Sequence, residues 1–167
     1  MKHDSILVLG VGNVLLGDEG VGVHAVRAFE AGGLPPGVTA VDGGTGGFHL
    51  LSYLSDYREV VFIDATLDGR PAGTISVLHP RFASDFPRAL SAHDGGLRDL
   101  VESAALLGQL PTMTLIAVSV ETLQPFSTEL SPELRASIPA VLSCLGRVLS
   151  EHVDAAQASS MRRGAAK

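Results

Sequence analysis

The first apolar run is short, Ser5 to Leu9, and Gly10 cuts it off. A run this brief and this uniformly apolar predicts a strand buried on both faces. After a glycine-containing loop the spacing changes to a helical one. Gly22, Val26 and Phe29 fall on one face with Val23 beside them, while His24, Arg27 and Ala31 lie opposite. Gly32-Gly33 and Pro35-Pro36 end that helix. Val38 to Val41 predicts a second strand, and the turn-rich DGGTGG, residues 42–47, follows it. Phe48 to Leu54 suits a short helix, Glu59 to Ile63 a third strand ending at Asp64, and Gly73 to Leu78 a fourth.

Helical spacing returns at Leu97, Leu100, Val101, Ala104 and Leu107, and stops near Gly108. Thr112 to Val120 predicts a fifth strand. Ser131-Pro132 then offers a capping hydroxyl followed by a proline at the first helical position. Behind it runs the longest apolar stripe: Leu134, Ile138, Val141, Leu142, Leu145, Val148 and Leu149. Pro139 inside this stripe is expected to kink the helix or delay its start. Past about Asp154 the residues turn small and polar, which predicts a frayed tail. Strands alternating with helices predict a single α/β domain, residues 1–153, with a flexible C-terminal tail, residues 154–167, and a sheet covered on both faces.

Composition narrows the functional classes. The chain has 167 residues, enough to bury a core without a disulfide or structural metal. Its formal net charge is −6 and it carries no long Lys/Arg run, so no nucleic-acid partner is expected. The single cysteine, Cys144, suits a reducing compartment. The N-terminus does not read as a signal peptide, and no apolar run approaches the ~20 residues of a membrane span. A soluble, cytoplasmic protein with no membrane partner is the expectation.

The chemistry gathers at one edge. In open α/β sheets, ligands bind beyond the carboxyl ends of the strands. Glu19 lies in the loop after the first strand, Asp42 ends the second and Asp64 the third. A carboxylate closing the buried run VVFI is costly unless paired, hydrogen-bonded or bound to a metal, although Asp64 would equally suit a cap for the next turn. His93 stands in SAHDGGL before a helix N-terminus, whose partial positive charge keeps the imidazole neutral. By itself it would equally suit a surface histidine. Two carboxylates and an imidazole suit nickel or zinc, and three protein ligands would leave open positions. No local metal motif is present, neither HExxH nor a cysteine pair.

Other candidates have simpler readings. Asp18 suits a cap for the first helix. His24 lies five residues beyond Glu19, about 140° around the helix, and suits solvent. His49 suits the surface, His3, His79 and His152 show no partner pattern, and Cys144 suits the core edge. A strand, G-x-G and a helix also raise a Rossmann-like nucleotide-binding alternative. Against it, Leu15 fills the third glycine position, and Asp42 comes later than the usual ~20 residues. Asp18 and Glu19 also stand where a pyrophosphate would sit. Each charge pair at ~4 Å would cost about 4 kcal/mol at an effective dielectric of 20. A helix dipole offsets only roughly 0.3–2 kcal/mol of that. The loop suits a cation.

LVLGVGNVLLGDEGVGVHAV, residues 7–26, closely resembles the N-terminal signature of the hydrogenase maturation endopeptidases. DGGTGG at 42–47, VFIDAT at 61–66 and SAHDGGLRDL at 91–100 are similar to later motifs of that family, in the same order. The resemblance implies a three-layer α/β/α sandwich around a five-stranded, twisted, mostly parallel sheet. It implies a peptidase that removes the C-terminal extension of a nickel-iron hydrogenase large-subunit precursor after nickel insertion. Nickel would arrive with the precursor, no organic cofactor is implied, and Glu19, Asp64 and His93 would be the metal-binding positions. The nucleophile and the leaving-group acid stay unassigned, with Asp42 either an acid/base group or an anchor of the glycine loop. A non-catalytic docking module for a metallated partner is the other alternative. The segment VETLQPFSTEL departs from the family pattern, with Gln124 in a commonly acidic place, which leaves open which hydrogenase is served.

Overall fold

Strand β1, His3–Gly10, carries the first apolar run through the interior of a five-stranded sheet. The computed structural model describes residues 3–45, 47–87, 96–108 and 110–164. The elements in chain order are β1, α1 (Val21–Ala31), β2 (Val38–Asp42), α2 (Leu51–Asp56), β3 (Tyr57–Thr66), β4 (Ile75–Leu78), α3 (Leu97–Leu106), β5 (Thr112–Ser119) and α4 (Pro132–Gly164). Short 3₁₀ turns precede α1 and α2. The strand order is β2-β1-β3-β5-β4, with only β4 antiparallel to its neighbour. This is the mostly parallel five-stranded sheet expected from the sequence.

The uniform apolar runs are explained by two cores, one on each face. Alternate residues of a strand point to opposite faces. Ile6 and Val8 of β1, Val61 and Ile63 of β3, and Ile116 and Val118 of β5 meet Val21, Ala25, Val26, Leu134, Val141 and Leu145 from α1 and α4. Leu7 and Leu9, Val60 and Phe62, and Met113 and Leu115 meet Leu54, Leu97, Leu100 and Val101 from α2 and α3. The result is three layers, helices over both faces of the sheet. Each fully buried Val, Leu, Ile or Phe contributes roughly 1.5–3 kcal/mol relative to exposure, so the strand cores dominate the stabilising side.

Helix ends follow the predicted signals. Gly32 and Gly33 close α1, the Gly32 N–H pointing at the carbonyls of Ala28 and Phe29 and the Gly33 N–H at that of Glu30. The Ser131 hydroxyl accepts the Leu134 N–H at 3.3 Å at the start of α4. The last helix bears on two further expectations. Pro139 lies inside α4 and does not delay its start, and its missing N–H removes a single ladder bond to the Arg135 carbonyl. Helical backbone also continues beyond Asp154 to Gly164, through residues such as Ala, Gln, Met and Arg that favour helix. No helix among the described residues is long and apolar enough to cross a membrane.

Candidate functional site at the carboxyl edge of the sheet

The connection leaving β1 runs to one side, to β2, and the connection leaving its neighbour β3 runs to the other, towards β4 and β5, so the direction reverses between β1 and β3. The crevice of such a sheet lies at this reversal, beyond the carboxyl ends of the strands. The first turn of α1 is pressed into it. A Cβ added at Gly22 would stand 2.1 Å from the Ile63 carbonyl oxygen and 2.3 Å from that of Val11, so only glycine permits this approach.

Asp64 occupies a step in the sheet. The pairing of β1 with β3 ends at Gly10 opposite Ile63, whereas β3 and β5 stay paired to Thr66 opposite Ser119. The expectation that Asp64 ends its strand is therefore corrected. β3 runs two residues further because β5 continues beside it, and Asp64 is the first residue with no β1 neighbour. Its carboxyl is pushed up to about 8, chiefly by loss of hydration, with the Glu19 charge adding to the rise. The Ala65 N–H, 2.8 Å from Oδ1, works in the opposite direction. Its role as a simple turn cap is not what the structure draws, since that one bond goes to the adjacent backbone within the strand.

Glu19 reaches Asp64 from the 3₁₀ turn Gly17–Gly20, where it is buried. Asp18, beside it, does not cap α1. Its carboxylate accepts the Ser131 N–H at 2.7 Å and the Gln124 side-chain amide N–H at 3.0 Å, while its own backbone N–H donates to the Gln124 side-chain oxygen Oε1 at 2.8 Å. The donors at the start of α4 and on the loop after β5 claim it first. Gly17 completes the clasp with φ of 58°, and a Cβ there would meet the same Gln124 oxygen at 2.3 Å. Gln124 is the residue that sequence reasoning undervalued: it was visible only as a departure from a pattern, 106 positions from its partner.

Asp42 ends β2 as expected, and the structure draws it as an anchor. Oδ2 pairs with Arg27 at 2.7 Å and Oδ1 accepts the Gly44 N–H at 2.9 Å, tying down the glycine loop. His24 is not simply solvated. It is partly buried, its Nε2 has no hydrogen-bond partner among the described residues, and it lines a cleft of about 360 Å³ with Ala28, Leu130, Ile138 and Pro139. His49 is exposed and Cys144 is buried in the core, as read. His79 and His152 do have partners, at the opposite end of the sheet. His152 contacts Glu59 at 2.7 Å and the buried Thr114 hydroxyl at 3.2 Å, and His79 approaches that hydroxyl at 3.4 Å. The sequence held no signal for this chain of contacts because it joins β3, β5, α4 and the residue after β4.

His93 lies outside the described residues. Among the described residues no group of three or more His, Cys, Asp or Glu is placed to hold a metal ion. What the fold does bring to this edge is two acidic residues, Glu19 buried in its turn and Asp64 with a proton affinity raised mainly by burial and further by the Glu19 charge. Such a pair favours a cation and opposes a phosphate, which weighs against the nucleotide-binding alternative.

Comparison with known proteins bears on the same region. A family model described as hydrogenase maturation protease matches residues 23–147. The chain is 36% identical over 155 residues to the hydrogenase 2 maturation protease of Escherichia coli, covering 90% of this chain and 94% of that protein. It is 35% identical over 150 residues to a hydrogenase expression/formation protein of Rhizobium leguminosarum, covering 86% and 73%. A solved hydrogenase maturating endopeptidase from Escherichia coli superposes with a TM-score of 0.78 at 34% identity, over 89% of this chain and 93% of that one.

Proposed function

The chain belongs to the hydrogenase maturation protease family, and from that premise we propose that it removes the C-terminal extension of a nickel-iron hydrogenase large-subunit precursor once nickel has been inserted. The observation that carries the finer reading is the coupling of Glu19 and Asp64 at the reversal point of the sheet. Nickel belongs to the substrate in this account. Held by the precursor's own ligands with coordination positions open, it is the cation for which the two carboxylates are set, and His93 is the third donor. Docking then reports that metal is present, because without it the Glu19 charge and burial both oppose ionisation of Asp64.

Asp64 must lose its proton to ligate. A divalent ion beside it supplies the opposite charge that reverses the effect of burial and of Glu19. Three protein donors leave room for the scissile carbonyl or a water at the metal, where polarisation of the peptide bond is expected. The nucleophile stays unassigned, and Asp42 acts as the loop's anchor. The test is intact-mass analysis of nickel-loaded and nickel-free precursor after incubation with the protein. Loss of the C-terminal extension from the loaded form alone supports the reading. Equal cutting of both forms contradicts the metal-recognition role.

A further inference from the structure

Phe126 is the one non-glycine residue with positive φ among the described residues, at 62°. In this left-handed region the Cβ of an L-residue crowds the following carbonyl oxygen, and for a bulky ring the conformation is an outlier. The side chain is also fully exposed, at 101%. Neither the backbone nor the ring at this position stabilises the isolated fold. Strained geometry of this kind persists where its surroundings over-determine it, and it collects at ligand clamps.

The surroundings do over-determine it. The Gly17 N–H donates to the Ser127 carbonyl at 2.8 Å, the Ser127 N–H to the Gln124 carbonyl at 3.2 Å, and the Gln124 side chain holds Asp18 from both ends. Leu16 and Ser127 form a parallel bridge. Leu15 precedes one partner of this bridge and Phe126 the other, so the bridge ties the loop that carries Phe126 to the segment that leads into the Glu19 turn. Leu15 is itself 60% exposed. The pair flanks the turn that carries Glu19.

We propose that Phe126, with the exposed Leu15 on the other strand of the bridge, is the anchor that seats in an apolar hollow on the folded protein substrate and sets the substrate against the Glu19 turn. The inference rests on the function proposed above and adds the surface that reads the partner. The shape selects the occupant. A small ligand needs a concave site that covers most of its surface, whereas these two side chains project outward. A projecting aromatic that fills a pocket on the partner is the usual form of a protein–protein hot spot, and a ring with two rotatable bonds loses little entropy on docking. The contact lies outside the acidic crevice, so it serves recognition and not chemistry.

The experiment measures cleavage of a purified, nickel-loaded large-subunit precursor by intact mass over a range of precursor concentrations. The variants are Phe126→Gly, Phe126→Leu and, in parallel, Glu19→Gln, with thermal unfolding of each. Phe126→Gly is expected to raise KM at least tenfold, to change kcat less than twofold, and to unfold at the same or a higher temperature because glycine relieves the strain. Phe126→Leu keeps an apolar group and is expected to stay within threefold of the wild-type KM. A Phe126→Gly KM within twofold of wild type, while Glu19→Gln is inactive, overturns this inference and leaves the site reading standing. A Glu19→Gln variant as fast as wild type, or a wild-type protein that leaves every nickel-loaded precursor intact, overturns the reading beneath it and this inference with it.

Discussion

Asp64 stands one residue past the point where β1 leaves β3, and the carboxylate of Glu19, from the turn after β1, adds to the loss of hydration that drives its pKa to about 8. Two side chains far apart in the chain thus act on one carboxyl group, burial raising its proton affinity most and the Glu19 charge adding a smaller rise.

The first consequence is a pH dependence of folding. The folded Asp64 keeps its proton up to about 8, whereas an unfolded aspartate releases it near 3.8. The native state therefore binds more protons between these values, and the stability this group contributes is full below pH 4 and is lost as pH rises through 8. Asp64→Asn lacks that dependence. Other acids, such as Asp68 and Asp85, held low by Arg70 and by the Arg81 N–H respectively, are common to both proteins and cancel. The thermal midpoint of Asp64→Asn is expected to gain on wild type from pH 5 to pH 8, by several degrees. A gap that stays constant across that range contradicts the assignment.

The second concerns the clasp between Gln124 and Asp18. Gln124→Ala removes three side-chain hydrogen bonds, two with Asp18 and one to Thr122, and takes one partner from a buried carboxylate, at a cost of roughly 1–3 kcal/mol, or a fall of about 2–4 °C in thermal midpoint per kcal/mol for a chain of this size. Gln124→Glu sets a second carboxylate against Asp18, with repulsion on the order of 4 kcal/mol at an effective dielectric of 20. That variant should be far less stable at pH 8 than Gln124→Ala and should approach it near pH 4, where the new carboxyl protonates. Thermal unfolding at the two pH values checks the ordering.

The third separates anchor from catalyst at Asp42. Its ion pair with Arg27 is largely exposed and is worth at most about 1 kcal/mol. Asp42→Asn keeps the acceptor for Gly44 and is expected to lower kcat less than tenfold. A general acid or base would lose roughly 10²–10⁴-fold. Single-turnover cleavage under saturating enzyme gives the answer.

The fourth lies at the far end of the sheet. Thr114→Val deprives His79 and His152 of the hydroxyl between them while keeping the volume. The expected cost is about 1–2 kcal/mol in urea unfolding, with cleavage unchanged because the site lies at the opposite end of the strands.

The parts of this protein that were legible in its sequence are those governed by neighbouring residues. The uniform runs at Ser5–Leu9 and Val60–Ile63 predicted strands buried on both faces, and Ser131-Pro132 marked the start of α4. Parallel pairing then carries Glu19 and Asp64 to one edge, so that much of the site followed from element order alone. The rest depends on contacts between distant segments. Nothing near Asp18 announces that its partners come from residues 124 and 131, and so a cap was the natural reading. Asp64 looked like the end of a strand because the apolar run stops there, but strand length is set by the neighbour, and β5 outlasts β1. Glu59, Thr114, His152 and His79 belong to four separate segments, which no local pattern joins.

The central claim is that Glu19 helps to read the metal carried by the precursor. The most direct measurement is the intact mass of nickel-loaded and nickel-free precursor after incubation with wild type and with Glu19→Gln. The account predicts that wild type shortens only the loaded precursor and that Glu19→Gln is slower by at least roughly 100-fold, the upper end of what outer-shell changes alone cost metal sites. Cleavage by Glu19→Gln at the wild-type rate, or equal cleavage of the nickel-free precursor, would contradict it.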